Sequence, residues 1–520
     1  MSRPTLAPGV VEGQTLRGDL EIDADVAVIG SGAGGAVAAA VLAKSGLRVV
    51  ILEEGGYFTS NRFRMLEDEA FGNLYQESGM RTTEDLSVAI FQGRAVGGTT
   101  VINWTTSIRA PGEVIEHWRD DFGAANLSPR DLIPHYEAVE ERLSIREIPM
   151  DRLNSSNRAL FDGCRALGYQ VRRLSRNVKD CDYNGYCGYG CPVDAKQSMH
   201  LTYLPDAMNH GATLISRARV DRLQHRRGKV VAAEATLLDA FGTSPTGATL
   251  KLRAKRFLLA AGAIGTPAIL LRSGAPDPHL VTGARTMLHP TVAQLGEMPE
   301  PADGFQGAPQ GVGSHEFADR GDQVGFFIEC TPMQPMLMAT AIPSFGAPHR
   351  AAMERFRHLV PFIGLTIDGR HADVPGGRVR VMESGAPVLD YRVADRTWEA
   401  IRDAQKTMAR LQLAAGALRS LTSHQAPIVI EKEADLAKLD AADFGPSRLG
   451  VITAHVMGGA AVSDDPRRGV VRSEDFRHHQ LSNLHVVDGS IFPSGPGVNP
   501  QELIFALAHL VATRCAEAWA

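Results

Sequence analysis

The segment Val26-Ala-Val-Ile-Gly30-Ser-Gly32-Ala-Gly-Gly35 decides the fold, together with the alanine-rich stretch to Ser45 and the run Leu47-Arg-Val-Val-Ile-Leu-Glu53. A short apolar run meets a glycine turn, then a helix-forming stretch, then a second apolar run. That order predicts strand, turn, helix, strand, a βαβ unit with its two strands parallel. The glycines fit G-x-G-x-x-G. Gly30 allows the tight turn, Gly32 lets a pyrophosphate approach the backbone, and Gly35 lets the helix pack on the strand. Free N–H groups at the start of the helix favour the phosphate. Glu53 closes the second strand 18 residues after Gly35. A carboxylate there accepts hydrogen bonds from a ribose diol and repels a 2′-phosphate. The unit therefore predicts binding of FAD or NAD and disfavours NADP.

Working outward, 520 residues suffice for two or three domains, or for one large interleaved body. Hydrophobic residues make 44% and charged residues 22% of the chain, which excludes a mostly disordered protein. Net charge is −5, and the one obvious basic run is His225-Arg226-Arg227, so no nucleic-acid partner is expected. No apolar stretch reaches the ~18 residues of a membrane span, and Met1 to Gly18 lacks an apolar signal-peptide core. The expectation is a cytoplasmic protein without a transmembrane segment.

Further signals recur along the chain. Gly93-Arg-Ala-Val-Gly-Gly-Thr-Thr-Val-Ile-Asn103 is a second glycine-rich loop, with hydroxyl donors. Ser128-Pro129 opens a helix running through Arg142, and residues 212–239 alternate as sheet. Phe257-Leu-Leu-Ala-Ala-Gly262 is a buried strand ending in glycine, and Gly262–Gly274 continues as turn and helix. Residues 291–345 are the least regular stretch. A hairpin is expected over 379–393, an amphipathic helix over Thr397–Leu418, and a last strand and helix at Leu484–Asp488 and Gln501–Ala518. The apolar segment 323–345, rich in Met, leans toward a hydrophobic ligand.

Together these residues resemble the glucose–methanol–choline (GMC) family of FAD-dependent oxidoreductases. One family signature is matched over Gly93–Glu116 apart from Ser107, and a second throughout Gly262–Gly274. The C-terminal pattern fits as well: Ala454-His455-Val-Met-Gly-Gly459, Val487-Asp488-Gly-Ser490, and Gly497-Val-Asn499-Pro500. Within the family the chain looks most like the long-chain (fatty) alcohol oxidase branch, through Cys187-Gly-Tyr-Gly-Cys191, Thr202–Asp206 and Leu288-His289-Pro290. It departs from that branch at Ala460-Ala461-Val462, where Cys-Arg-Met is usual, so that a basic residue is lost near the site.

The resemblance implies an α/β protein. A Rossmann-like FAD-binding domain would be assembled from residues 20–122, 200–290 and 446–520. A substrate-binding domain and cap on a mostly antiparallel sheet would come from 123–199 and 291–445. Gly30, Gly32, Gly35 and Glu53 would hold the ADP part of FAD. Gly97, Thr99 and Asn103 would approach the flavin, Val220 would bond adenine through its backbone, and Asp488, Asn499 and Pro500 would line the ribityl and ring region. The implied reaction oxidises an alcohol to an aldehyde or ketone, with the electrons going on to O2 or to a quinone or cytochrome.

His455 stands at the family's catalytic histidine. A histidine titrates near neutrality and can take the hydroxyl proton. Asn499 stands where relatives carry a second histidine or an asparagine, and an amide can hold the substrate oxygen but cannot be a base. Glu329, in the apolar run Phe326-Phe-Ile-Glu-Cys330, is either a second acid–base group or a solvent-facing strand residue. Cys181, Cys187 and Cys191 have cluster-like spacing before Pro192. They resemble the three-iron cluster loop of sugar dehydrogenases in the same family. The alternative is therefore a sugar or polyol dehydrogenase with an iron–sulfur centre; a plain packing loop is the other reading of these cysteines.

Overall fold

The apolar run at Val26 becomes the inner end of a long strand, Asp19–Ile29, in which Val26, Ala27 and Val28 are fully buried. The strand lies between two parallel neighbours, with Val26 opposite Val49 and Ile29 opposite both Leu52 and Leu259. A strand paired on both edges and covered on both faces reads as a continuous apolar run rather than an alternating one. The computed structural model describes residues 7–519.

Around this strand an eight-stranded sheet forms in the order Gly9–Glu12, Thr213–Ser216, Val49–Leu52, Asp19–Ile29, Pro245–Leu259, Lys229–Leu238, Ala218–Arg226. Leu484–Val486 adds in parallel at the end of Pro245–Leu259. Four helices matter for the site: α1 (Ala33–Lys44), α2 (Gly262–Arg272), α3 (Asp395–Ala414) and α4 (Gln501–Trp519). Helix α1 buries only small and branched residues along most of its length and packs against α4. Gly34 and Gly35 seat it on the sheet. A Cβ on Gly34 would stand 1.6 Å from the Val487 carbonyl oxygen, and one on Gly35 2.1 Å from that of Gly30.

A nine-stranded sheet builds the other half, antiparallel except where Val451–Thr453 pairs with Ala89–Ile90. Its centre is Thr291–Glu297, Leu359–Thr366 and Phe326–Cys330. Helix α3 covers one face, burying Ile401, Ala404, Met408 and Leu411. It stops four residues before the expected Leu418 because Gly416 takes φ +93° and the chain turns back, the Ala417 N–H donating to the Gln412 carbonyl. The stretch 291–345, irregular in sequence, supplies two of the three central strands of this sheet, Thr291–Glu297 and Phe326–Cys330, and the short strand Val312–Ser314 beside them. They are short and buried on both faces, so no polar–apolar alternation marks them. Ser128 caps Pro129–Arg142 as expected, and Gly377–Val381 and Pro387–Asp390 form the expected hairpin. Among the described residues no helix is long and apolar enough to cross a membrane.

Candidate active site

The carboxyl ends of the parallel strands open into a cavity of about 1300 Å³ that continues under the second sheet. The glycine turn forms one end. Gly30 takes φ +101°, and its Cβ would collide with the Ala260 carbonyl at 2.2 Å. Gly32 caps α1 with no side-chain partner, and a Cβ there would meet nothing nearer than the Gly98 Cα at 3.8 Å. The space in front of Gly32 is therefore open cavity, with room for a guest to approach the backbone. Three helix starts line the same cavity: Gly32 to Gly34 of α1, Ala261 to Ile264 of α2, and Pro500 and Gln501 of α4. At α2 the Gly262 and Ala261 amides are already taken by Asp488 and Thr266, so the aligned dipoles, with the free first-turn amides of α1, are what favour an anionic guest.

Glu53 lines the cavity at the end of Val49–Leu52. Its carboxylate accepts from the Ser31 amide at 2.9 Å, the Ser31 hydroxyl at 2.7 Å and the Gly55 amide at 2.7 Å. Burial nonetheless pushes its pKa above the ordinary carboxylate value. Asp488 is held likewise: Oδ2 accepts from the Gly262 amide at 2.8 Å and the Thr266 hydroxyl at 2.5 Å, and Oδ1 from the Ser490 amide at 2.8 Å. It ties the end of the last strand to the start of α2 while facing the cavity. Val220 and Thr99 also line the wall. Asn103 does too, its amide nitrogen donating to Gln501 at 2.5 Å and its Oδ1 buried without a partner. The donor-rich turn, the open space in front of Gly32 and the carboxylates of Glu53 and Asp488 on the wall fit an FAD.

Two expected residues stand elsewhere. Gly35 packs α1 on its strand and does not reach the cavity. Gly97 at φ +101° faces Val101 and His200, its amide donating to the Ser31 hydroxyl at 3.0 Å, and the neighbouring Gly98 lines the cavity instead.

His455 and Asn499 meet where the second sheet joins α4. Asn499 Nδ2 lies 3.5 Å from His455 Nε2 and donates to Glu329 Oε2 at 3.2 Å. Burial holds the His455 pKa down at about 4, so the ring is neutral above that pH. Glu329 is wholly buried in Phe326–Cys330, which excludes the solvent-facing reading. Burial pushes its carboxyl up to about 7. Gln310 Nε2 also donates to Oε2, at 2.7 Å, while Oε1 has no partner. Glu329 is not on the cavity wall; Gln310 and Asn499 stand in front of it. Beyond this cluster the wall turns apolar, with Ala293, Leu295, Met333, Leu337, Ile363 and Leu365. Phe326, Phe327 and Ile328 of the Met-rich segment are core residues.

Cys181, Cys187 and Cys191 face one small cavity of about 10 Å³ beside the buried cations Arg176 and Lys196. All six cysteines are free. Among the described residues no group of three or more His, Cys, Asp or Glu side chains is placed to hold a metal ion, so the iron–sulfur alternative lacks a ligand set in this arrangement. The loop is instead pinned by Lys196, whose ammonium donates to the carbonyls of Cys187, Val101 and Asn103.

Comparison with known proteins agrees with this geometry. Family models described as GMC oxidoreductase match residues 71–291 and 374–508, and one described as FAD binding domain matches 25–64. An uncharacterised GMC-type oxidoreductase of Mycobacterium tuberculosis is 33% identical over 94% of this chain and 75% of its own length. A long-chain-alcohol oxidase of Arabidopsis thaliana is 30% identical over 95% of this chain and 67% of its own. Among solved structures, pyridoxine 4-oxidase from Mesorbium loti aligns with TM-score 0.69 and 19% identity over 94% of this chain and 99% of its own. A formate oxidase of Aspergillus oryzae aligns with TM-score 0.70 and 15% identity over 96% and 98%. The two solved structures share the fold. The chain belongs to the GMC oxidoreductase family and is an FAD-dependent oxidoreductase acting on CH–OH donors.

Proposed function

We propose that the chain oxidises a hydrophobic, long-chain alcohol to its aldehyde or ketone, with His455 as the base and Asn499 as the clamp on the substrate oxygen. The observation that carries this is the placing of a neutral imidazole beside an amide donor, 3.5 Å apart, where an apolar chamber meets the start of α4. A hydroxyl oxygen seated beside both nitrogens accepts from Asn499 Nδ2 and donates to His455 Nε2. As the O–H bond breaks, its proton passes to Nε2 and the oxygen's growing charge is held by the amide. When bound, FAD would supply the two-electron acceptor for the hydride that leaves the carbinol carbon.

Gly30, Gly32, Glu53, Val220 and Asp488 would hold the cofactor's nucleotide and ribityl portions, with Thr99, Asn103 and Pro500 on the flavin side. The two sheets support a division into an FAD-binding part (20–122, 200–290, 446–520) and a substrate part (123–199, 291–445), with Ala89–Ile90 and Val451–Thr453 crossing over to pair in the substrate part's sheet. The relatives named long-chain-alcohol oxidase support the substrate class. A test mixes the anaerobic, flavin-loaded protein with alcohols of two to sixteen carbons and follows flavin bleaching. Faster bleaching by the longer alcohols is expected. Bleaching by sugars alone overturns the substrate reading, and re-oxidation by air or by a quinone then identifies the electron acceptor.

A further inference from the structure

We propose that His289 is a positioning residue for the oxidation: its ring accepts the Nδ1–H of His455 and so fixes the tautomer whose Nε2 is free to take the alcohol proton. The inference rests on the assignment of His455 as the base.

The two rings meet at 3.3 Å, Nδ1 to Nδ1, with their planes at 78°. Two facing N–H groups collide and two facing lone pairs repel, so one proton lies between them and one ring donates it. The rest of the network decides which. Thr106 Oγ donates to Gln310 Oε1, Gln310 Nε2 to Glu329 Oε2, and Asn499 Nδ2 to the same carboxyl oxygen. Asn499 therefore turns its NH2 group toward His455 Nε2, which must accept. The proton of the neutral ring is then on Nδ1, and His289 Nδ1 takes it.

His289 is built for this task rather than fitted in by chance. It is fully buried and holds φ +47°, a left-handed backbone that is sparsely populated outside glycine. Asp368 enforces it: Oδ1 accepts from the His289 amide at 3.0 Å, and Oδ2 from the Leu288 amide at 2.9 Å and the Tyr391 hydroxyl at 2.8 Å. At the next residue, Thr366 donates to the Pro290 carbonyl through both its amide and its hydroxyl. Phe327 stands edge-on to the ring at 5.8 Å, and Gly495 leaves no room for a Cβ on the Nε2 side. His289 Nε2 has no partner of its own, so Nδ1 is the one ring atom in use.

The charged and titratable groups around the pair are already engaged elsewhere. Arg370 donates to the carbonyls of Gly495 and Pro496, and Asp368 is occupied by the backbone and Tyr391. Glu329 is reached only through Asn499, and His315 lies stacked on Phe327. When His455 becomes an imidazolium, its Nδ1–H bond to His289 strengthens, which is how an acceptor behind a catalytic histidine aids proton uptake.

The test uses the FAD-loaded protein and three variants, His289→Leu, His289→Asn and His455→Ala. Leu removes the acceptor, whereas Asn offers a side-chain oxygen near the lost Nδ1. Anaerobic flavin reduction is expected to slow about 10–100-fold in His289→Leu, the loss typical when the partner orienting a metal-bound histidine is removed. Asn is expected to restore most of it. The acid limb of the rate profile moves to lower pH in His289→Leu, because the imidazolium loses its acceptor, and moves back in His289→Asn. Nitrogen NMR of 15N-histidine-labelled wild-type protein, with the His455 signal identified by its absence in His455→Ala, is expected to show the Nδ1–H tautomer. An Nε2–H tautomer at His455 overturns the proposal, whether or not the Leu variant folds. So does a His289→Leu enzyme with the wild-type rate and acid limb. If His455→Ala also reduces at the wild-type rate, the base assignment fails first, which separates the two readings.

Discussion

Gly98 stands against Gly32: a Cβ on Gly98 would come within 2.7 Å of the Gly32 Cα. The contact presses the loop from Gly93 to Asn103 onto the turn before α1, and Ser31 fastens the pair. Its hydroxyl accepts from the Gly97 amide and donates to Glu53. The turn before α1, the Glu53 carboxylate and the loop from Gly93 to Asn103 are thus one hydrogen-bonded unit, drawn from three separate parts of the chain.

That unit makes the cofactor's place testable. Gly32→Val puts a branched side chain into open cavity, not into protein, so the variant is expected to fold and to purify colourless. Gly34→Ala differs, since its Cβ meets the Val487 carbonyl at 1.6 Å, and it is expected to lose stability rather than flavin alone. Flavin absorbance per protein, measured beside a melting curve, separates the two outcomes. A Gly32→Val protein that keeps its full yellow colour places the cofactor elsewhere.

Glu329 predicts a pH dependence of stability. Its folded pKa of about 7 lies above the ordinary 4.5, so the folded protein binds a proton that the unfolded chain has released. Between those pH values this group's contribution to stability falls as pH rises, by on the order of 3 kcal/mol over the whole interval. Glu329→Gln keeps the shape without the charge. Its melting temperature should therefore gain on the wild type from pH 5 to pH 8. A difference between the two proteins that does not change with pH would show that Glu329 is ionised throughout.

The apolar chamber predicts a chain-length series. Each methylene buried against Leu295, Leu337 and Leu365 is worth about 0.8 kcal/mol, about fourfold in kcat/KM. Leu337→Glu places a charge on that wall and is expected to flatten the series for long alcohols while leaving ethanol oxidation nearly unchanged. Equal losses for short and long alcohols would move the chamber's role away from chain recognition.

Lys196 is the hub between the cysteine loop and the cavity wall. Burial pulls its pKa down to about 8, and it donates to three carbonyls. Lys196→Met leaves those carbonyls buried and unpaired, a cost of about 3 kcal/mol. Because Asn103 is one of the three, weaker flavin retention should accompany the lower melting temperature. Wild-type flavin affinity in this variant would confine the lysine to stability.

How much of this was legible in the sequence depended on how local each signal was. The βαβ unit, the Ser128 cap and the hairpin around Ser384 are written in contiguous residues, and each formed where its pattern stood. The pattern around His455 and Asn499 set both in one site, and the structure brings the two side chains together. Gly34 was not, because its need for a bare Cα comes from Val487, far along the chain. Gly97 and Gly98 are indistinguishable as a pair, and only the fold decides which of them faces the cavity. Glu329 and His289 lie in strand and loop positions whose surroundings the sheet assembles, so the sequence left Glu329 between an acid–base and a solvent-facing reading and gave His289 only as part of a motif.

The pairing of His455 with Asn499 gives the sharpest division of labour. His455 has no contact with the Gly32, Glu53 or Asp488 groups assigned to the cofactor, so His455→Ala should keep FAD bound. Its flavin should be reduced by alcohol roughly 10²–10⁴-fold more slowly, the usual worth of a positioned acid–base group. The sign of the pH effect follows from the shifted pKa. Because burial holds His455 at about 4, below the ordinary 6.5, the base form grows as pH rises through 4, and the wild-type rate should climb there and level off above pH 5. The Ala variant should lack that limb. Asn499→Ala should cut turnover while keeping it, since an amide does not titrate. It also leaves Glu329 Oε2 with Gln310 as its one remaining donor, which raises the carboxyl's pKa further and shifts any limb near pH 7 upward. Anaerobic stopped-flow reduction of both variants with one long-chain alcohol, from pH 4 to pH 9, reads all of this. An unchanged rate and acid limb in His455→Ala would pass the role of base to another group, and Glu329, which reaches the cavity through Asn499, would be the first to test.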